Sequence, residues 1–327
     1  MNYLVLGGAG FIGSHVVDYL LQKGHNVTVL DTFYERFRNP LNNVKYYIGS
    51  FSDEKLIEKS LENQDIVIHL ISTTIPETSN LDIINDVQSN LYPTLYLFKK
   101  ASESNIKKII YISSGGAVYG NPKIIPIPEN HPKNPISSYG ITKLTIEKYL
   151  ALYSHLTGID YCIIRPSNPY GPRQNPFGKQ GVVSVYLGKI YNNQSIEIWG
   201  NGLIYRDYIY IDDLIEAIYN ASINNTKSKI FNVGSGESIS LLEIVKKIKT
   251  ILNVEFNVKY LDKRDYDVSK VCLDITLATN QLNFIPRTSL DDGILNTWKF
   301  INNIMVDKEI LITSNKNSLK PLLYDKN

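Results

Sequence analysis

Apolar residues come along this chain in two textures, short unbroken runs and longer stretches spaced three and four apart. Residues 3–6 (Tyr-Leu-Val-Leu) show no polar alternation, the pattern of a strand buried on both faces. After a cluster of glycines, Phe11, Ile12, Val16, Val17, Leu20 and Leu21 fall on one helical stripe. Gly24 stops that stripe, and residues 26–30 form a second apolar run. The alternation continues as strand 44–48, helix 53–61, strand 65–70, a long helical stretch 81–102, strand 108–112, helix 138–156 and strand 161–164. So regular an exchange predicts the α/β class, a doubly wound parallel sheet of Rossmann type whose ligands lie at the carboxyl ends of the strands.

After Arg165 the texture turns to Pro166-Ser167-Asn168-Pro169-Tyr170-Gly171-Pro172-Arg173, a turn-rich crossing into a smaller α/β C-terminal domain. A helix at 182–191, a strand at 196–199 and a strand-like alternation at 206–211 follow. Helix 212–221 and strand 229–233 are expected to return to the main sheet. Ser240 and Glu243 make a capping box, and helices are expected at 274–282 and 290–304. The expected division is a first domain of 1–167 completed by about 207–235, a second of 168–206 and 236–305 for substrate, and a polar tail, 306–327.

The 327 residues, 43% hydrophobic and 20% charged, suffice for a substantial core. A net charge of +2 with interspersed signs lacks the basic stripe that a phosphate backbone demands, so no nucleic-acid partner is expected. No apolar run approaches the roughly 20 residues that span a bilayer, and the first is too short for a signal peptide. A cytoplasmic protein without a membrane span is the expectation. Cys162 and Cys272 lie far apart in apolar segments and read as core thiols. The five histidines show no i,i+4 pairing, and no metal site is expected.

Two stretches carry chemistry. Gly7-Gly8-Ala9-Gly10-Phe11-Ile12-Gly13 lies between a strand and a helix, where glycines let the backbone approach a pyrophosphate seated on the helix N-terminus. Asp31 ends the next strand, where a carboxylate accepts the ribose hydroxyls of an adenosine. It disfavours a 2′-phosphate, so NAD is favoured over NADP, although Arg36 and Arg38 lie downstream. The second stretch runs from Ser113 to Lys143. Tyr139 and Lys143, four apart on one helix face, make a candidate acid/base pair. Ionising a free tyrosine at neutral pH costs roughly 4 kcal/mol, and a cation about 4 Å away at an effective dielectric of roughly 20 returns about that much. The same spacing recurs at Tyr19, Tyr96, Tyr119 and Tyr266, but Tyr139 alone opens a helix on the dinucleotide rim.

Together, the glycine run, Asp31, Tyr139-x-x-x-Lys143, Asn168-Pro169-Tyr170-Gly171, Arg206-Asp207 and Arg264-x-x-Asp267 resemble the extended short-chain dehydrogenase/reductase family over about residues 1–305. Within it the chain is similar to the NAD-dependent nucleotide-sugar epimerase/dehydratase branch. The resemblance implies Tyr139 as acid/base, with Lys143 holding the nicotinamide ribose and lowering the tyrosine pKa. It places cofactor contacts at Gly7, Gly10, Phe11, Ile12, Gly13, Asp31, Ser50, Phe51, Leu70, Asn90, Ser113, Tyr139 and Lys143. It further implies Asn168, Arg206 and Arg264 at a substrate diphosphate, Asp267 at its nucleoside ribose, Val271 as a gate for the sugar C2 substituent, and a homodimer through helices 81–102 and 138–156.

Two departures matter. Ser50 stands where the family commonly has an acid at the adenine, and Gly115 stands where it keeps a catalytic Ser or Thr, leaving Ser114, or a water above Gly115-Gly116, as the candidate replacement. Gly116 and Ala117 occupy places where dehydratases of the branch carry an acid for water elimination. The expected reaction is therefore 4-epimerisation of a UDP-hexose, either the glucose/galactose or the N-acetylhexosamine pair. The alternatives are another NAD(P)-linked nucleotide-sugar oxidoreductase, a reductase or dehydratase, and a non-catalytic nucleotide-binding relative.

Overall fold

The structure is a computed structural model that describes residues 1–35, 38–262 and 268–314, with side chains of the last helix followed to residue 304. Its first half runs β1 (Asn2–Leu6), α1 (Phe11–Gln22), β2 (Asn26–Asp31), β3 (Val44–Ile48), α2 (Glu54–Leu61), β4 (Ile66–His69), short helices α3 (Pro76–Ser79) and α4 (Ile83–Asp86), α5 (Tyr92–Ser102), β5 (Lys108–Ile112), α6 (Ser138–Thr157) and β6 (Asp160–Pro166). The second half runs β7 (Asn168–Tyr170), α7 (Val182–Tyr191), β8 (Ile196–Trp199), β9 (Tyr205–Arg206), β10 (Tyr208–Tyr210), α8 (Ile211–Ile223), β11 (Ile230–Val233), β12 (Ile239–Ser240), α9 (Leu241–Leu252), β13 (Val258–Leu261), α10 (Thr276–Leu282) and α11 (Leu290–Ser314).

Seven parallel strands lie in the order β3-β2-β1-β4-β5-β6-β11, so α8 and β11 do return to the main sheet. The order reverses between β1 and β4, which opens a ligand crevice at their carboxyl ends. Tyr3, Leu4, Val5 and Leu6 are wholly buried, which is why β1 shows no alternation. One apolar layer packs Val16, Val17 and Leu20 of α1 with Leu214 and Ile218 of α8. The other packs Ile57 of α2, Leu97 and Phe98 of α5, and Ile146 and Leu150 of α6. Cys162 and Cys272 are free and buried, as expected of core thiols.

Three elements differ from the pattern. Stretch 81–102 is not one regular helix: a π-helical turn, Val87–Leu91, separates α4 from α5. Pro93 lacks the N–H that would continue the regular ladder, and the backbone widens just ahead of it. The alternation at 206–211 breaks at Asp207, whose wholly buried carboxylate accepts from the Ser235 N–H and hydroxyl and from the Leu273 N–H. That inward turn splits β9, which pairs with β12, from β10, which pairs with β7. Finally, α11 runs on to Ser314, beyond the expected helix end at 304, because no Gly or Pro follows Gly293 within it.

Candidate active site

The glycine turn joins β1 to α1 at the crevice. Gly7 has φ +83°, a left-handed conformation that suits glycine. At Gly13 a Cβ would stand 2.0 Å from the Gly7 carbonyl oxygen and 2.7 Å from Gly8 Cα, so only glycine lets α1 start this close to the strand. Gly10 is the N-cap, with Phe11 and Ile12 half-buried in the first turn. Asp31 does more than its sequence position suggests: its carboxylate accepts from the Ala9 N–H at 3.0 Å and the Thr32 N–H at 2.7 Å, fastening the glycine turn to the end of β2. A tight helix N-terminus with an acid fixed beside it fits a dinucleotide of the NAD type, the pyrophosphate on the helix and the adenosine toward Asp31.

The other proposed cofactor residues divide between rim and core. Leu70 is half-buried and extends the β4 ladder by donating its N–H to the Leu6 carbonyl. Ser50 is exposed, its hydroxyl accepting from the Ser52 N–H, while Phe51 is a core ring 5.1 Å from His69. Asn90, in the π-helical turn, is buried; its carbonyl oxygen accepts from the Thr73 N–H at 2.8 Å, and its amide donates to Thr73 Oγ1 at 2.7 Å and to the Asp86 carbonyl at 3.0 Å. The Ser113 hydroxyl donates to Glu147 at 2.5 Å and belongs to a buried ion pair, Arg165 Nη2 to Glu147 Oε2 at 2.5 Å.

Tyr139 occupies a firmly fixed helix start. Ser137 caps α6 by accepting from the Gly140 N–H, the Ser138 N–H donates to Asn80, and the Tyr139 N–H donates to Ser79 at 3.0 Å. Gly140 admits the loop above it, since a Cβ there would lie 2.7 Å from the Ala117 carbonyl oxygen. Lys143 is buried, donates to the Ile112 carbonyl at 2.9 Å, and stands 5.7 Å from the Tyr139 ring centroid and 5.0 Å from that of Tyr111.

This geometry corrects the simple pair arithmetic. Burial pushes Tyr139 up to about 12, a hydrogen bond with Ser114 pulls the other way, and the charge of Asp86 adds to the rise. Burial draws Lys143 down to about 8, against the opposing charges of Glu147 and Asp86. With protein groups alone the phenol therefore stays protonated at neutral pH. Lowering it is left to the positive charge that an oxidised nicotinamide brings when bound.

The absent hydroxyl has a steric explanation. A Cβ at Gly115 would meet Leu273 Cδ1 at 2.6 Å and the carbonyl oxygens of Pro166 and Arg165 at 3.0 and 3.1 Å, so a serine there would have to displace the Leu273 side chain and press on both carbonyls. A Cβ at Gly116 would meet nothing within 4 Å. Ser114, one residue earlier, is the hydroxyl whose influence lowers the Tyr139 pKa.

On the substrate side, Asn168 donates its side-chain amide to the Asp207 carbonyl at 2.8 Å, and Arg206 bonds the carbonyls of Tyr205 and Val268 at 2.9 and 2.6 Å. Val271 is buried with Val118, Tyr119, Ile127 and Leu273. Arg264 and Asp267 lie outside the described residues. Sequence reasoning missed Asp86, Ser79 and Asn80. Asp86 and Asn90, polar and four apart within a helical stretch, were the available signal.

A glycine-turn crevice with an acid at its edge and a tyrosine and lysine on its rim has the make-up of an NAD-linked site. The profile of the NAD dependent epimerase/dehydratase family matches residues 3–234, and the chain belongs to that family. It is 36% identical over 302 residues to a putative UDP-glucose 4-epimerase of Methanocaldococcus jannaschii, covering 92% of this chain and 98% of that one. Its fold matches UDP-glucose 4-epimerase of Thermotoga maritima, solved with UDP-glucose, at a TM-score of 0.89 and 35% identity, over 93% of this chain and 100% of that one. It also matches UDP-N-acetylglucosamine 4-epimerase of Methanobrevibacter ruminantium, in complex with UDP-N-acetylmuramic acid, at 0.87 and 30%, over 93% and 99% of the two chains.

Proposed function

We propose that this chain is a UDP-hexose 4-epimerase with Tyr139 as its acid/base. The observation that carries this reading is the Tyr139 phenol on the rim, with Gly116 and Ala117 where a second acid would stand. Water elimination needs a second proton to be moved, whereas oxidation and reduction at one carbon need only a single acid/base. Tyr139 takes the proton of the sugar 4-hydroxyl, with Ser114 accepting a share of that hydrogen bond, and returns it after the 4-keto sugar has turned about its diphosphate link. NAD, when bound, supplies reversible hydride acceptance. Arg206, together with Arg264, holds the diphosphate by forked, charge-assisted hydrogen bonds, Asn168 adds a polar contact, and Asp267 meets the ribose. Anomeric proton NMR of UDP-glucose and UDP-N-acetylglucosamine tests the reading: interconversion with no net NADH is expected, and silence with both sugars in the presence of NAD contradicts it.

Two variants refine it. Ser114→Ala lowers kcat by about tenfold or more, as removal of one hydrogen-bonding hydroxyl worth about 1.5–3 kcal/mol to a charged group should. An unchanged kcat removes Ser114 from the proton path. Val271→Tyr suppresses turnover of UDP-N-acetylglucosamine more than that of UDP-glucose, by filling the space for the C2 substituent. Equal losses with both sugars contradict the gate.

The assembly we favour is a homodimer. Ile84, Tyr92, Ile141 and Leu156 are exposed on α4, α5 and α6, an apolar surface that a second copy would cover. Among the described residues no helix is long and apolar enough to cross a membrane. A cytoplasmic location is part of the reading, supported by two unpaired cysteines.

A further inference from the structure

We propose that Asp86 is a positioning residue for the acid/base: it sets the roll of α6 about its axis, and its charge opposes that of an ionised Tyr139. This rests on the reading of Tyr139 as the acid/base. The Asp86 carboxylate is buried, 1% exposed. One oxygen accepts from the hydroxyls of Ser138 at 2.7 Å and Thr142 at 2.8 Å, and the other from the hydroxyl of Thr74 and the amide of Asn90, the latter at 3.3 Å. Ser138 and Thr142 are four apart on one face of α6. Tyr139 and Lys143 follow them by one residue each, about 100° further round the helix. A carboxylate gripping the first pair therefore dictates where the second pair points.

The same group ties α6 to the turn that carries Asn90, so the two share one anchor. A cavity of about 10 Å³ lies between them, lined by Asp86, Asn90, Tyr139, Thr142 and Lys143.

Neutral side chains could make these hydrogen bonds. A buried carboxylate whose four donors are all neutral carries a desolvation cost that a buried amide would avoid. Its charge therefore needs a use, and the groups around it supply one. Tyr139 faces Asp86 across the cavity, Tyr111 of β5 and Lys143 of α6 lie beside it, Glu147 of α6 faces Tyr111 and Lys143, and His69 of β4 faces Lys143. Asp86 is a fixed negative charge that favours the protonated phenol and the charged lysine. In an enzyme that must give its proton back in every cycle, such a bias keeps Tyr139 an acid as well as a base.

The test uses the full chain saturated with NAD, labelled with ¹³Cζ-tyrosine, the Tyr139 resonance being the one lost in Tyr139→Phe. Asp86→Asn lowers the midpoint of the Tyr139 titration by about one pH unit. Thr142→Val, which removes a donor from the carboxylate and leaves its charge less compensated, raises it. The acid limb of the epimerase pH–rate profile moves in the same directions. An unmoved Tyr139 midpoint in folded Asp86→Asn overturns the proposal. Should that variant fail to fold, Thr142→Val decides: an upward shift supports the proposal and no shift overturns it. Because the resonance is read without sugar, shifts seen in a protein that epimerises nothing would sink the epimerase reading and leave the role of Asp86 standing.

Discussion

Tyr139→Phe loses about 10²- to 10⁴-fold in kcat, the usual worth of a positioned acid/base, while NAD affinity and the sugar KM stay near wild type. The substitution removes only a hydroxyl. The backbone N–H that Ser79 caps is untouched, and the ring on which the Lys143 ammonium rests at 5.7 Å remains. Loss confined to kcat assigns an interaction made in the transition state, whereas a raised KM with kcat intact would make Tyr139 a binding residue. Equilibrium binding of NAD, followed beside steady-state kinetics, separates the two.

Glu147→Ala destabilises the fold by about 3–5 kcal/mol, as breaking a buried ion pair from one side does. Arg165 and Glu147 are 1% and 2% exposed, joined by two hydrogen bonds at 2.9 and 2.5 Å. Tyr119 accepts from the same guanidinium at 2.8 Å, and Ser113 donates to the same carboxylate. Removing the carboxylate strands a guanidinium in the core between β5, β6 and α6, the elements that carry the rim. Denaturant unfolding reads the loss, and a change below about 1 kcal/mol would show that the pair is worth no more than a surface bridge. Activity falls with stability here, in contrast to Tyr139→Phe, which leaves the melting curve in place.

The main sheet was legible because its strands are buried on both faces and its helices on one, so burial writes itself into the spacing of apolar residues. The π-helical turn was not. Pro93 sits at the second position of α5, a place helices tolerate, and only the shifted ladder before it shows that the backbone widens there. Asp207 hid for a similar reason: an acid within a strand-like alternation reads as solvent-facing until Ser235 and Leu273 are seen to converge on it from distant sequence.

In the site, the glycine turn and Asp31 were readable because a local motif fixes them. The state of the Tyr139–Lys143 pair was not, since helical spacing states proximity and says nothing of burial. Desolvation acts on both groups, pushing the tyrosine up and the lysine down. Likewise Gly115 read as a missing hydroxyl, while the crowding around it, from the side chain of Leu273 and the carbonyl oxygens of Arg165 and Pro166, comes from fifty or more residues away in the chain.

The most direct test of one-carbon chemistry at this rim follows isotope rather than rate. UDP-glucose carrying deuterium at C4 is converted in ordinary water, and the product is examined by NMR. Epimerisation by oxidation and reduction at C4, with Tyr139 moving only the hydroxyl proton, predicts that deuterium remains on C4 of the epimer. Deuterium washed out to solvent would contradict it, because the hydrogen on carbon would then have left as a proton.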